Sequence, residues 1–137
     1  MRGGVYQLIS DITLEEDGLI EPIRDVDYAA AKVDIVIPAM SSAPRLLISI
    51  VKSEHNGYVG TVEKYNAMRI IREFDRQKNV FPVDMKASPA GTWLEKWSES
   101  YGRETVPERI NAIYIGLGDT MSINFPAGTT VKIYAKK

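Results

Sequence analysis

Residues 118–137, GDTMSINFPAGTTVKIYAKK, decide the predicted fold of this chain. Apolar and polar side chains alternate over residues 121–125 and again over residues 131–134. Such alternation is typical of a strand with one buried face. A Pro-Ala-Gly corner at residues 126–128 separates the two runs. The stretch therefore predicts a hairpin of two antiparallel strands.

The last of these strands carries lysines at positions 132, 136 and 137. Lysine on the edge of a sheet discourages pairing with another chain. These lysines therefore predict that the last strand lies at a sheet edge.

The same alternation predicts strands elsewhere in the chain. The run RLLISIVKS is apolar on both faces, which indicates a central, buried strand. The segment 19–31 stays ambiguous, because Pro22 argues against a central strand there. The segments predicted as strands are residues 5–16, 32–40, 45–53 and 108–118.

Two segments favour helices instead. Apolar side chains recur every three or four residues between positions 62 and 74, which predicts a helix from Val62 to Gln77, with a strand over MRIIREF as the alternative. A second helix is predicted over residues 92–102. Thr92 and Glu95 form a capping box at its start, and Gly102 stands where a C-terminal cap glycine belongs.

These elements together predict a single domain, residues 1–137, of the mainly β (α+β) class. We expect an antiparallel β-sandwich or rolled sheet with two helices inserted between two groups of strands, because strands and helices do not alternate regularly.

Composition excludes several kinds of chemistry. The chain has no cysteine, so disulfides, thiolate metal sites and cysteine nucleophiles are excluded. Its single histidine, His55, precedes an Asn-Gly turn and is interpreted as a surface residue. We predict no cofactor, no metal and no catalytic residue.

Charge and hydropathy bear on partners and location. The 17 basic residues are balanced by 18 acidic ones, so nucleic acid is not an expected partner. No segment approaches the roughly 18 consecutive apolar residues that a membrane helix needs. We expect a soluble protein that is made in the cytoplasm.

The second predicted helix carries the first candidate site. Trp93, Trp97 and Tyr101 are spaced four residues apart and share one helical face. Buried against the sheet they would belong to the core, whereas exposed they would anchor a protein–protein interface.

The first predicted helix carries the second candidate site. Arg69, Arg72 and Arg76 form a basic stripe on a helical face, interrupted by Glu73 and Asp75. The stripe is interpreted either as a solvated face with local ion pairs or as a contact for an anion or a partner.

Residues 118–137 also resemble the closing hairpins of small β-sandwich accessory proteins in tailed-phage virions, such as head decoration, neck or tail proteins. This resemblance implies a virion protein that is present in many symmetric copies and contacts itself or other virion proteins.

The predicted function is therefore that of a non-enzymatic structural or assembly protein acting through protein–protein contacts. The alternative is a sequestering protein that binds a small molecule or nucleotide with arginine and aromatic side chains. An enzyme that uses neither cysteine nor metal is the third hypothesis.

Overall fold

The computed structural model describes residues 5–50, 60–62, 64–75, 86–89 and 109–137. Every regular element within these ranges is a β-strand. The strands are β1 (Gln7–Thr13), β2 (Ile23–Tyr28), β3 (Ala30–Ile37), β4 (Arg45–Ser49), β5 (Gly60–Thr61), β6 (Met68–Asp75), β7 (Lys86–Pro89), β8 (Ile110–Leu117) and β9 (Thr130–Lys136).

The strands form two antiparallel sheets. One sheet has five strands in the order β1-β9-β3-β6-β7, and the other has four in the order β2-β8-β4-β5. Burial alternates along β3, where Val33, Ile35 and Ile37 are fully buried. They form one hydrophobic cluster with residues of the other sheet, such as Ile48 and Ile113. We call the side of the five-stranded sheet that carries this cluster its inner face, and the opposite side its outer face.

The predicted strands at 5–16, 32–40, 45–53 and 108–118 are confirmed as β1, β3, β4 and β8. The strand β4 lies between β8 and β5, and its residues from Leu46 onward are buried, as the two-faced apolar run predicts. The ambiguous segment 19–31 contains β2, which begins one residue after Pro22, together with the first residues of β3.

The predicted α+β class with two inserted helices is wrong, because the described residues contain two antiparallel sheets and no helix. Residues 68–75 form β6, so the alternative strand over MRIIREF is correct. This strand pairs with β3 in continuous register, from Met68 opposite Ile37 to Asp75 opposite Ala30. Sheet pairing therefore overrides the weak helical preference of the segment. The second predicted helix, residues 92–102, lies outside the described residues.

The predicted closing hairpin is also wrong. The strand β9 lies inside its sheet, between β1 and β3, and not at an edge. Residues 121–125 do not pair with it: Ile123 bridges Leu117, and Phe125 bridges Gly18. Gly128, with a φ of 94°, supplies a left-handed turn before β9 that glycine adopts without strain.

The described ranges include no helical segment with the length and hydrophobicity that crossing a bilayer requires.

Candidate functional site

In the described part of the chain, each sheet ends in two edge strands, and three of these four edges carry features that oppose pairing with another chain. The strand β2 follows Pro22, and its pairing with β8 is interrupted around Asp25, whose φ is 59°. The strand β5 has only two residues. The strand β7 has four residues and includes Lys86 and Pro89.

The fourth edge strand, β1, differs from the other three. It has seven residues, QLISDIT, with neither lysine nor proline. No strand among the described residues pairs with the side of β1 that faces away from β9. We call this side the open edge of β1. It is the candidate functional site, because unpaired backbone groups on a long edge strand are a template for pairing with another chain.

The backbone of Leu14 shows which groups of β1 face the open edge. Its N–H donates to the carbonyl of Thr129 at 2.9 Å, and its carbonyl accepts from the N–H of Gly128 at 2.8 Å. Both groups therefore point toward β9. Backbone direction alternates along a strand in an antiparallel ladder. The N–H and C=O groups of Asp11 and Thr13 consequently point to the open edge, and both residues are exposed.

A bulge limits the regular part of the open edge. The register between β1 and β9 shifts between Leu8 and Ser10, so Ile9 is an extra residue in the ladder. From Ser10 to Thr13 the pairing with β9 is continuous. The usable stretch of the open edge therefore begins after Ile9.

A partly buried hydrogen bond and two cation–π contacts hold the beginning of β1 in place. The hydroxyl of Tyr6 donates to Oε2 of Glu73 on β6 at 2.6 Å. The ammonium groups of Lys136 and Lys32 lie 4.7 Å and 5.1 Å from the centre of the Tyr6 ring, within the range of cation–π attraction. Burial, and next the hydrogen bond to Glu73, raise the pKa of the Tyr6 hydroxyl above its ordinary range.

Backbone hydrogen bonds and the side chain of Asp17 hold the residues that follow β1 in place. Gly18 and Phe125 exchange two backbone hydrogen bonds, at 3.0 Å and 2.7 Å. Oδ1 of Asp17 accepts a hydrogen bond from the N–H of Ala127 at 2.8 Å. The edge strand is therefore held in place at both ends.

The outer face of the five-stranded sheet next to β1 carries charges of both signs in register. Lys132 on β9 lies directly between Asp11 on β1 and Asp34 on β3. Nζ of Lys136 reaches across the small side chain of Ala30 to Oδ2 of Asp75, at 3.1 Å. Opposite charges on neighbouring strands stabilise a sheet modestly. This face is thus largely neutralised by its own side chains.

The structure separates the arginines that the sequence analysis grouped. Arg69 lies on the outer face, where Nε and Nη2 donate to the two carboxylate oxygens of Asp34, at 3.0 Å and 2.7 Å. Arg72 lies on the inner face, opposite Val33, and is only 3% exposed. Burial lowers the pKa of Arg72 to about 9. Residues three apart point to opposite faces of a strand, so these two arginines do not form one stripe.

The other predicted contact residues, Arg76, Trp93, Trp97 and Tyr101, lie outside the described residues. Their role at an interface stays a prediction, as does an anion or partner contact by Arg69.

The open edge of β1 and the anchoring role of Tyr6 were not predicted from the sequence. The absence of lysine and proline from residues 7–13 was visible in the sequence. That absence indicates an unprotected edge only once the strand order shows that β1 lies at the end of its sheet.

No group of three or more histidine, cysteine, aspartate or glutamate side chains within the described ranges is arranged to hold a metal ion. Comparisons of the chain with protein-family models, with curated proteins and with solved structures find no match.

Proposed function

We propose that this chain is a non-enzymatic assembly protein that binds a protein partner through the open edge of β1. The observation that carries the proposal is the contrast among the four edges of the described sheets. Three are protected by proline, lysine, an irregular ladder or shortness. The strand β1 has neither lysine nor proline, is the longest of the four, and pairs regularly with β9 from Ser10 to Thr13 beyond its bulge at Ile9. Proteins that stay monomeric protect such edges.

The chemistry of the open edge suits recognition by strand addition. In that mode, backbone hydrogen bonds supply the affinity and alternating side chains supply the specificity. Asp11 and Thr13 offer two N–H donors and two C=O acceptors in a row. Exposed apolar side chains precede this pair in the chain, on the other side of the bulge at Ile9, since Val5 is 75% exposed and Leu8 is 50% exposed.

The fastening of both ends of β1 also supports the proposal. A binding element that is already ordered loses less conformational entropy on association than a flexible one. The Tyr6–Glu73 hydrogen bond orders one end of the strand, and the pairing of Gly18 with Phe125 orders the chain beyond the other.

The alternative function, binding of a small molecule or nucleotide by arginine and aromatic side chains, receives less support. Asp34 engages the guanidinium of Arg69, and Arg72 is buried on the inner face. The resemblance to accessory proteins of phage virions stays a prediction, because no observation on the described residues bears on it.

A site-specific photo-crosslinker tests the proposal. It is introduced at Thr13 in the full-length chain, in the cells that naturally make the protein. The matched control carries the crosslinker at Arg24, an exposed residue of the protected edge strand β2. We expect discrete protein adducts from position 13 that are absent from position 24. Adducts must also disappear when Asp11→Pro removes a backbone donor from the open edge. No adduct from position 13, or the same adducts from both positions, overturns the proposal.

A further inference from the structure

We infer that the partner at the open edge of β1 is a second copy of this chain, paired antiparallel with the first about a two-fold axis at Ile12. This inference rests on the proposed function and adds the identity of the partner. It follows from the direction of the backbone groups of β1 and from the charges beside them.

Geometry restricts the symmetric registers. Residues directly opposite each other in an antiparallel pair share a face of the sheet, and the groups available for hydrogen bonding belong to Asp11 and Thr13. Three symmetric registers use these groups. They place the two-fold axis at Asp11, at Ile12 or at Thr13.

Charge selects one of these three registers. An axis at Asp11 places this carboxylate opposite its own copy, and it also brings the bulge at Ile9 opposite Thr13. An axis at Thr13 places Asp11 opposite Glu15 of the second copy. Like charges directly opposite each other destabilise a sheet. Only the axis at Ile12 avoids both repulsions, because Asp11 then faces the Thr13 of the other copy.

The selected register also pairs the free backbone groups of the open edge and packs apolar side chains against each other. Asp11 of each copy exchanges two backbone hydrogen bonds with Thr13 of the other. The two copies of Ile12 form a non-hydrogen-bonded pair at the axis, with Cα atoms about 4.5 Å apart. Ile12 and Leu14 are partly buried against the core of their own copy. The pairing therefore extends an existing apolar surface and joins two five-stranded sheets.

A symmetric interface of this kind is isologous, so it closes after two copies and does not propagate into a filament. The bulge at Ile9 confines regular pairing to the residues that follow it. We therefore expect a dimer whose formation depends on protein concentration.

A cysteine scan tests both the partner and the register, because the natural chain has no cysteine. The full-length variants Ile12→Cys, Asp11→Cys and Thr13→Cys are purified and oxidised under identical conditions. A disulfide requires Cα atoms about 4.4–6.8 Å apart, which the inferred register provides only at position 12. We expect a disulfide-linked dimer from Ile12→Cys, and monomers from the other two variants.

Sedimentation of the cysteine-free chain supplies the second measurement. We expect its mass to rise toward that of a dimer with concentration, and Thr13→Val, which keeps the backbone N–H, to behave in the same way. Thr13→Pro removes that donor and is expected to stay monomeric, with an unfolding curve that confirms it is folded.

The outcomes separate this inference from the proposed function. Dimers from Asp11→Cys or Thr13→Cys in place of Ile12→Cys overturn the register. A wild-type chain that stays monomeric at all concentrations overturns self-pairing. In that case, photo-crosslinks from position 13 to a different protein would leave the proposed function standing, and their absence would overturn both.

Discussion

The hydroxyl of Tyr6 donates a 2.6 Å hydrogen bond to Oε2 of Glu73, a residue 67 positions further along the chain. Tyr6 directly precedes β1, whereas Glu73 lies on β6, and the strands β9 and β3 lie between them in the sheet. The Tyr6 side chain therefore crosses two strands of the outer face. One hydrogen bond links the edge strand to the far half of the sheet.

Tyr6→Phe removes this hydrogen bond and leaves the ring in place. A hydrogen bond to a charged acceptor contributes roughly 1.5–3 kcal/mol, and partial exposure of Tyr6 reduces that contribution. We expect the free energy of unfolding to fall by about 1–2 kcal/mol at neutral pH, as measured by urea denaturation. An unchanged midpoint would mean that the contact adds nothing to stability.

The same substitution has a predicted pH dependence. Burial and Glu73 raise the pKa of Tyr6 in the folded protein, whereas the unfolded chain titrates near its ordinary value of about 10. A raised folded-state pKa gives stability that is complete below about pH 10 and is lost as the pH rises further. We expect the wild-type chain to lose stability more steeply than Tyr6→Phe above about pH 10. Parallel curves from urea denaturation would contradict this assignment.

Arg72→Glu tests the placement of Arg72 on the inner face. The guanidinium lies 4.7 Å from the centre of the Phe74 ring and is almost completely buried. Replacement by a carboxylate breaks the contacts of a buried cation and places a buried anion in the core. We expect a loss of more than about 3 kcal/mol in the free energy of unfolding, measured by chemical denaturation.

Arg69→Gln is the matched control for that experiment. Arg69 pairs with Asp34 on the outer face, and its side chain is 43% exposed. Solvent screening limits such a pair, so we expect a loss of about 1 kcal/mol or less. Equal losses in the two variants would contradict the assignment of these residues to opposite faces of β6.

Gly116→Ala tests the close approach of two segments at the end of β8. A Cβ atom at position 116 would collide with the Cβ atom of Met121, so the backbone must shift. We expect a loss of about 1–3 kcal/mol, the usual cost of overpacking. Met121 has a φ of 56°, so Met121→Gly removes the backbone strain and the two side-chain atoms that collide, and leaves a close approach to the Cα atom at 3.0 Å. It should restore most of the lost stability to the double variant. Calorimetric melting temperatures of the four proteins measure this rescue.

Gly18→Ala is the control for steric crowding in general. The nearest atom to a Cβ there is the carbonyl oxygen of Glu16, at 3.9 Å. We expect little change in the melting temperature. A loss as large as that of Gly116→Ala would show that the collision with Met121 is not the cause.

The helix predicted over residues 62–77 was wrong for a reason that β6 makes clear. A half-buried strand is recognised by alternation, but in β6 a charged residue, Arg72, takes an inner position and Ile71 takes an outer one. These two residues break the period of two. Met68, Ile71 and Phe74 then match the three-residue spacing of a helix by coincidence, and the pairing with β3 identifies the segment as a strand.

The position of β9 within its sheet was not predictable from the sequence either. The alternation of residues 131–134 predicts the strand correctly, but it does not reveal the neighbours of that strand. Lys132 and Lys136 suggested an edge. In the sheet, Lys132 lies between two aspartates on neighbouring strands, and Lys136 pairs with Asp75. Their role as neutralising partners depends on residues far away in sequence.

The candidate interface was unpredictable for a related reason. Whether a strand is an edge depends on which strands pair with it, and these pairings are long-range. The predicted strand over residues 5–16 was correct. The sequence does not show, however, that β9 pairs with one side of this strand and that the strand lies at the end of its sheet.

The interior position of β9 also determines when the protein can fold during synthesis. The strands β1 and β3 are not adjacent in the sheet, and residues 130–136 must fill the gap between them. A ribosome that has made only the first hundred or so residues has therefore produced strands with no complete sheet to join. Such long-range pairing slows folding and prolongs the exposure of apolar strands. The five-stranded sheet therefore cannot be completed until β9 has been synthesised. We expect chaperones to bind the nascent chain mainly during this interval.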